Sequence, residues 1–147
     1  MIHIISSTFI QQPINRVFDF ISKPENDFQW QYETLSSSQT SEGIITVGSS
    51  FRSTGHLMGN RIQSTFEVTE YEPNKRYGFK SLSGPLQSVT SYSLDISKRY
   101  TQVKISTQAN VINKLDFNEN ILEKKMKRQI KENLAMLKSI LESGSAI

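Results

Sequence analysis

The chain has 147 residues, of which 36% are apolar and 21% are charged, and its formal net charge is +3. This length and composition suit one globular domain with a real core, and they are too apolar for a disordered chain. The sequence contains no cysteine, which excludes a disulfide scaffold, a thiolate nucleophile and any zinc site that needs sulfur.

The N-terminal part of the chain predicts one strand followed by two short helices. Residues 2–11 are rich in Ile, Thr and Phe and predict the strand. Pro13 suits the first position of a helix, where its missing N–H costs nothing. Pro24 ends this helix and opens a second one, which ends near Trp30. The apolar face of the first helix, at i, i+3, i+4 and i+7, consists of Ile14, Val17, Phe18 and Ile21.

The central part of the chain predicts an antiparallel meander. Residues 36–48 predict an irregular strand and a loop, and residues 51–111 alternate between apolar and polar side chains with a period of two. One-sided alternation joined by short turns is typical of a meander with one solvated face. The predicted turns lie at residues 58–60, 73–74, 83–85 and 97–99.

Residues 118–142 predict one long amphipathic helix that lies on the sheet. Two start signals compete: Asp116 with Glu119 resembles a capping box, whereas Phe117 and Leu122 around Asn118 fit a hydrophobic staple. The polar back of the helix is basic, which we interpret as a solvated face. The apolar stripe, at spacings of three and four, consists of Leu122, Met126, Ile130, Leu134, Leu137 and Leu141.

The chain contains three distinctive segments, PINRVFDFISKPENDFQW, VGSSFR and FEVTEYEPNKRYGF. In this order and spacing they resemble the START-like (SRPBCC) superfamily, close to its polyketide cyclase/dehydrase-like branch. PINRVFDFISKPENDFQW, at residues 13–30, looks like the opening of that branch, in which a proline-led helix runs into a short helix ending in tryptophan. VGSSFR, at residues 47–52, looks like the start of its third strand. FEVTEYEPNKRYGF, at residues 66–79, looks like its strand–turn–strand signature.

The resemblance covers essentially the whole chain and implies a single α+β domain, residues 1–147, with the helix-grip fold. In that fold a curved antiparallel sheet of about seven strands wraps around a long C-terminal helix, and two short helices follow the first strand. The resemblance also implies a deep, mostly apolar cavity between the sheet and the last helix. Members of the superfamily bind lipids, sterols, hormones, quinones or polyketides; a minority are enzymes, and others act as co-chaperones.

Because one fold hosts many functions, three hypotheses stay open. The leading hypothesis is binding of a small hydrophobic or amphipathic ligand, lipid-like, sterol-like or polyketide-like, in the cavity. The first alternative is a cyclase or dehydratase that transfers protons through Glu123 or His56. The second alternative is a co-chaperone-like module that binds proteins through the outer sheet face or the basic helix.

The predicted cavity residues combine aromatic rings and hydroxyl groups on the inward phases of the strands. Inward aromatics suit an ordinary core as well, and Trp30 fits either the cavity rim or the core. Several hydroxyls on one buried face need hydrogen-bond partners and therefore indicate a partly polar cavity. The alternative is that the assignment of inward and outward positions is shifted by one residue, which would place all of these side chains in solvent. The inward hydroxyls are Ser53, Ser64, Ser81, Ser88 and Thr90. The predicted ligand-binding residues are Trp30, Phe51, Ser64, Phe66, Phe79, Thr90, Tyr92, Glu123, Met126 and Ile130.

Two ionisable residues are candidates for chemistry, although no catalytic residue is assigned. At about 100° per residue, Glu123 falls near the middle of the apolar stripe, so its carboxylate could orient a ligand or act as a general base. The alternative is a first-turn or second-turn glutamate that reaches solvent and is favoured by the helix dipole. If Phe51 faces inward then His56 faces outward, unless Gly55 marks a bulge.

The sequence predicts no metal site and no cofactor, because its two histidines have no adjacent acidic pattern and it has no phosphate-binding glycine motif. The expected partner is a small hydrophobic molecule rather than a nucleic acid. Transient contact with a membrane surface is compatible with the sequence, and the oligomeric state stays open. No apolar run is long enough for a signal peptide or for a membrane span of about 20 residues, so we expect a cytoplasmic protein.

Overall fold

A computed structural model describes residues 1–112 and 118–143, which form one antiparallel sheet, two short helices and one long helix. The helices are α1 (Ile14–Ile21), α2 (Asp27–Trp30), which continues from a 3-10 turn at Pro24–Asn26, and α3 (Glu119–Ser143). The strands are β1 (Ile2–Ile10), β2 (Thr34–Gln39), β3 (Ser50–Leu57), β4 (Asn60–Glu72), β5 (Arg76–Ser83), β6 (Leu86–Ser97) and β7 (Tyr100–Val111). The sheet order is β1-β7-β6-β5-β4-β3-β2, and all neighbours are antiparallel.

The two short helices form where the sequence predicts them, with one difference at the start of α1. The Pro13 carbonyl accepts hydrogen bonds from the backbone N–H groups of Arg16 and Val17, so Pro13 caps the helix and is not its first residue. The predicted apolar face is buried at Val17 and Phe18. Pro24 is buried too and opens the 3-10 turn that leads into α2.

The turn between β5 and β6 requires glycine at position 84. Its φ of +125° lies in a region that side chains avoid, and a Cβ there would lie 2.3 Å from the Ser64 hydroxyl oxygen. Ser64 therefore packs against the backbone of this turn, and the turn carries the chain directly into β6.

A β-bulge in β4 changes which side chains face the core. The predicted alternation of inward-facing and outward-facing side chains continues up to Val68, which is fully buried. The pairing with β5 then shifts between Val68 and Glu70. After the bulge Tyr71 turns inward and its ring lies 5.4 Å from that of Phe18, whereas Glu70 accepts a hydrogen bond of 2.8 Å from Ser91. The extra residue thus reverses the alternation at the end of the strand.

Helix α3 begins after Asn118, whose side-chain oxygen accepts a hydrogen bond of 2.8 Å from the backbone N–H of Asn120. The competing start signals at Asp116 and Phe117 lie outside the described residues. Four leucines of the predicted stripe are fully buried: Leu122, Leu134, Leu137 and Leu141. No helix within the described part of the chain is long and apolar enough to cross a membrane.

The core consists of two apolar clusters on the inner face of the sheet. The larger cluster joins α1, α2 and the C-terminal half of α3 to the sheet, and the smaller one contains Ile2, Ile4, Ala109 and Leu122. Ile130 of α3 packs against both clusters. The space beside Ile130, where the clusters meet, contains the cavity described next.

Candidate functional site

A partly open cavity of about 210 Å³ lies between the inner face of the sheet and α3. Strands β6 and β7 form one wall, α3 forms the opposite wall, and α2 contributes residues at one end. A larger groove, of about 410 Å³, runs over α1, but most of its lining is exposed and polar. The inner cavity is lined by Trp30, Gln31, Phe66, Phe79, Leu86, Ser88, Thr90, Tyr92, Ile105, Thr107, Met126, Ile130, Asn133 and Leu134.

A hydroxyl row covers the sheet side of the cavity; it consists of Ser88, Thr90 and Tyr92 on β6 and Thr107 on β7. Alternate residues of a strand face the same side, so the three β6 hydroxyls follow one another along the wall. Thr90 and Thr107 lie opposite each other in the register, both are buried, and their hydroxyl oxygens are 3.0 Å apart.

The hydroxyl row keeps unused hydrogen-bonding capacity. The threonine pair shares one hydrogen, so one of its two O–H groups and several lone pairs remain available. The indole Nε1 of Trp30, a residue that also lines the cavity, is buried and has no hydrogen-bond partner within the described part of the chain. Buried polar groups are normally paired, so this unpaired donor marks the region as a candidate binding site.

An aromatic belt continues from the cavity into the sheet core. The Phe51 and Phe66 rings stack at 5.0 Å, and both rings lie edge-on to Phe79 at 5.2 and 5.3 Å. Tyr92 contacts the Trp30 ring edge-on at 6.2 Å. Such contacts fix the orientation of the rings and give the cavity a rigid apolar end.

Asp27, at the start of α2, lies next to this belt. Burial raises the pKa of its carboxyl group, the nearby charge of Glu25 raises it further, and a hydrogen bond with Ser37 opposes both effects. Burial, and to a smaller extent the Asp27 charge, also holds the pKa of Tyr77 and of Tyr92 far above the usual range. Both phenols therefore stay protonated at neutral pH and can donate hydrogen bonds.

Asn133 of α3 fixes the end of α2 at the edge of the cavity. Its side-chain oxygen accepts hydrogen bonds from the backbone N–H of Tyr32, at 3.1 Å, and from the Gln129 amide, at 3.0 Å. This contact holds the segment that follows Trp30 against the helix, so the positions of α2 and α3 beside the cavity are linked.

The structure brings together most, but not all, of the residues that the sequence analysis assigned to the cavity. Phe51 lies behind Phe66 and Phe79 in the aromatic belt, and Ser64 packs against the β5–β6 turn, so neither lines the cavity. Whether the lining residues bind a ligand stays a prediction. The predicted residues that do line the cavity are Trp30, Phe66, Phe79, Thr90, Tyr92, Met126 and Ile130.

The inward hydroxyls predicted from the alternation also divide into two groups. Ser88 and Thr90 reach the cavity. Ser53 instead accepts a hydrogen bond of 3.1 Å from Ser37, and the Ser81 hydroxyl accepts one of 2.9 Å from the backbone N–H of Ser88. The latter two hydroxyls therefore find partners within the sheet.

Glu123 and His56 lie outside the cavity lining. Glu123 is half-buried and lies beside Leu122 in the sequence, off the local line of the apolar stripe. The stripe winds around α3, because four residues exceed one turn of 3.6 residues and each such step rotates the stripe by about 40°. An average over the whole helix therefore places Glu123 on the stripe, whereas the local stripe at its level passes through Leu122 and Met126. The His56 side chain is exposed, as expected when Phe51 faces inward.

Several lining residues were not predicted. Ile105 and Thr107 share the inward phase of β7, and Leu134 belongs to the helix stripe, so the sequence patterns contain the signal for these three. Gln31 and Asn133 carry no such signal, because their position depends on how α2 packs against α3. Among the described residues, no group of three or more His, Asp or Glu side chains could hold a metal ion.

A curved antiparallel sheet that holds a long C-terminal helix over a cavity defines the helix-grip class of proteins, as the family resemblance implied. Residues 1–142 match the family described as polyketide cyclase / dehydrase and lipid transport. The chain therefore belongs to this family, within the START-like (SRPBCC) superfamily. A comparison with curated proteins gives no match.

Solved structures share the fold at low sequence identity. The protein TTHA0849 from Thermus thermophilus is 16% identical with a TM-score of 0.83, covering 97% of this chain and 99% of that one. A START superfamily protein from Mycobacterium smegmatis is 14% identical with a TM-score of 0.73, covering 99% and 97%. The di-domain ARO/CYC BexL of the BE-7585A biosynthetic pathway is 14% identical with a TM-score of 0.74, covering 97% of this chain and 47% of BexL.

Proposed function

We propose that this chain binds a small apolar or amphipathic molecule in the cavity between the sheet and α3. The observation that carries the proposal is a partly open cavity of about 210 Å³ lined by aromatic and aliphatic side chains together with hydroxyls that have unused hydrogen-bonding capacity. Contact with the aromatic belt and α3 supplies affinity at about 25 cal/mol per Å² of buried apolar surface. The hydroxyl row supplies orientation.

The size of the cavity favours a compact ligand. Its volume of about 210 Å³ is below the range of roughly 300–1,000 Å³ that is common for ligand pockets. An apolar cavity of about 150 Å³ accepts benzene. The space therefore suits a molecule of one or two rings better than a sterol or a long acyl chain, so polyketide-like fragments fit the expected ligand classes best.

The test is a panel of uncharged aromatic and alicyclic compounds, with the melting temperature of the protein as the readout. A ligand present at about 100 times its Kd should stabilise the folded protein by about 2.7 kcal/mol. Ile130→Phe places a larger side chain in the cavity and should abolish the response. Ala135→Phe adds the same ring at an exposed position of α3 and should leave the response intact.

Two results would argue against this function. One is a flat response of the wild-type protein across the whole panel. The other is an Ile130→Phe variant that folds and binds as well as the wild-type protein, because binding would then take place elsewhere. The Ala135→Phe control separates loss of the cavity from a general effect of an added aromatic side chain.

A cyclase-type enzyme is the second candidate, favoured by the family description and by the fold shared with an ARO/CYC protein. Catalysis through Glu123 or His56 lacks geometric support, because neither residue lines the cavity. Turnover of a polyketide-like substrate that survives Glu123→Gln and His56→Ala and is lost in Ile130→Phe would favour an enzyme acting through the cavity. The cytoplasmic location, the absence of nucleic-acid binding and the protein-interaction alternative stay predictions.

A further inference from the structure

The two long walls of the cavity differ in chemistry. The α3 wall is apolar at Met126, Ile130 and Leu134 and has one polar lining residue, Asn133, whereas the opposite wall carries the hydroxyl row together with Leu86 and Ile105. A ligand between these walls therefore meets mostly hydrocarbon on the α3 side and a mixture of hydroxyl and hydrocarbon groups on the sheet side. This arrangement suits a flat molecule whose oxygen atoms lie on one edge.

The hydroxyl row can serve both donors and acceptors of a ligand. After the bond of 3.0 Å between Thr90 and Thr107, the pair still offers one O–H donor and free lone pairs. The row also contains the hydroxyl groups of Ser88 and Tyr92. A ligand carbonyl can accept from these groups, and a ligand hydroxyl can both donate and accept.

The lining offers no compensation for a ligand charge. Among the described residues, no Asp, Glu, Lys, Arg or His side chain lines the cavity. An ionised carboxylate or ammonium group that enters the cavity loses part of its hydration and finds only neutral side chains in the lining, which is unfavourable. Hydroxyls replace the hydration of a neutral alcohol or carbonyl far better than that of an ion.

We propose that the cavity selects uncharged compounds of one or two rings that carry a hydroxyl or carbonyl oxygen on one edge, held by the hydroxyl row. This selectivity rests on the proposed function, since it describes the ligand of the same cavity. It separates such compounds from fatty acids and amines of similar size.

Four probes with the same naphthalene ring test this selectivity by calorimetric titration at neutral pH: 1-methylnaphthalene, 1-naphthalenemethanol, 1-naphthoic acid and 1-naphthylmethylamine. The alcohol should bind about 2- to 10-fold more tightly than the hydrocarbon, as expected for one net hydrogen bond. The carboxylate and the ammonium should each bind at least about 10-fold more weakly than the alcohol. Equal or tighter binding of either ion would overturn the inference.

The double variant Thr90→Val/Thr107→Val locates the effect. It removes both partners of the hydroxyl pair with little change of shape, so the fold should be retained. The advantage of the alcohol over the hydrocarbon should then shrink, because only Ser88 and Tyr92 of the hydroxyl row remain, and the affinity of the hydrocarbon should not fall. Ser93→Ala, on the outward face of the same strand, is the matched control and should change neither affinity.

The outcomes separate the two proposals. If the hydrocarbon binds but the alcohol gains nothing, or if the advantage of the alcohol is undiminished in the folded double variant, the inference is wrong and the binding function stands. If no probe binds the wild-type protein, the proposed binding of compact ring compounds is wrong, and the inferred selectivity is wrong with it. If the double variant does not fold, the comparison of the four probes on the wild-type protein still decides.

Discussion

The carboxyl group of Asp27 lies in a setting that makes its charge unfavourable. Burial is the main cause of its raised pKa, and the charge of Glu25 adds to it. The folded protein therefore holds this proton more tightly than the unfolded chain does. The resulting contribution to stability is present at low pH and is lost as the pH rises from the ordinary value of 3.8 through the raised native pKa.

Asp27→Asn should therefore increase the free energy of unfolding at neutral pH and change it little at about pH 3. The amide keeps the shape of the side chain and can donate a hydrogen bond to the Ser37 hydroxyl oxygen. Urea denaturation across this pH range measures the difference. Asp19→Asn, which removes an exposed carboxylate of α1, is the control; a neutral-pH gain in Asp19→Asn as large as that in Asp27→Asn would refute the burial argument.

Individual side chains also show where sequence reasoning reaches its limit. Thr90 could be placed in the cavity because strand alternation fixes its face. Glu123 could not be placed correctly, because the direction of a helical side chain depends on how the stripe winds around the helix. The pairing of Thr90 with Thr107 depends on the register between β6 and β7, which no local pattern specifies.

At the scale of elements, α3 is fastened to the N-terminal strand near its own C-terminal end. The ammonium group of Lys138 donates to the carbonyl of Phe9 and to the Glu142 carboxylate, which also accepts a bond of 2.8 Å from the backbone N–H of Gln11. These contacts join residues at opposite ends of the chain. They hold the helix over the sheet, and so they hold one wall of the cavity.

Glu142→Gln should weaken this attachment in a pH-dependent way. The bonds with Lys138 and Gln11 lower the pKa of Glu142 from 4.5, so its contribution is present above that value and is lost as the pH falls through the lowered native pKa. Because the site is exposed, we expect a loss of about 0.5 kcal/mol at neutral pH.

Thermal denaturation at neutral pH and at about pH 2 tests this, and the difference from the wild-type protein should disappear at the lower value. Glu132→Gln, exposed on the same helix, is the matched control and should have little effect at either pH. A destabilisation of Glu142→Gln that persists unchanged in acid would show that the carboxylate charge is not its cause.

The elements themselves were largely predictable, because each has a local cause. Pro13 and Pro24 delimit α1, the alternation of period two specifies the meander, and the leucine stripe specifies α3. The bulge after Val68 was not predicted: the apolar alternation in β4 ends at Val68, and the pairing with β5 shows the extra residue. The inward turn of Tyr71 follows from that pairing.

For the whole molecule, the sheet order implies a gradient of local stability. β6 and β7 each have two neighbouring strands, whereas β2 is an edge strand with one, and residues 42–45 precede β3 in an exposed loop. Native-state hydrogen exchange should be slowest in β6 and β7, faster in β2 and fastest in residues 42–45. Protection of β2 equal to that of β6 would contradict this order.

The fold as a whole could be predicted because the order of elements and three segment resemblances agree over the full chain. For the cavity, only the approximate location between the sheet and α3 could be predicted. Its volume and the contrast between its hydroxyl and apolar walls result from packing between α2, α3 and two central strands. These quantities depend on distances between elements, and a sequence pattern constrains only directions within one element.

The open sheet leaves β1 and β2 as edge strands, and side chains from the helical segments occupy backbone groups at both. Lys138 and Glu142 bind the end of β1, and Glu25 of the 3-10 turn accepts a bond of 2.7 Å from the backbone N–H of Gln39 in β2. Unpaired edges invite strand addition by another chain and aggregation. The segments that enclose the cavity therefore also restrict edge-to-edge association between copies of the protein.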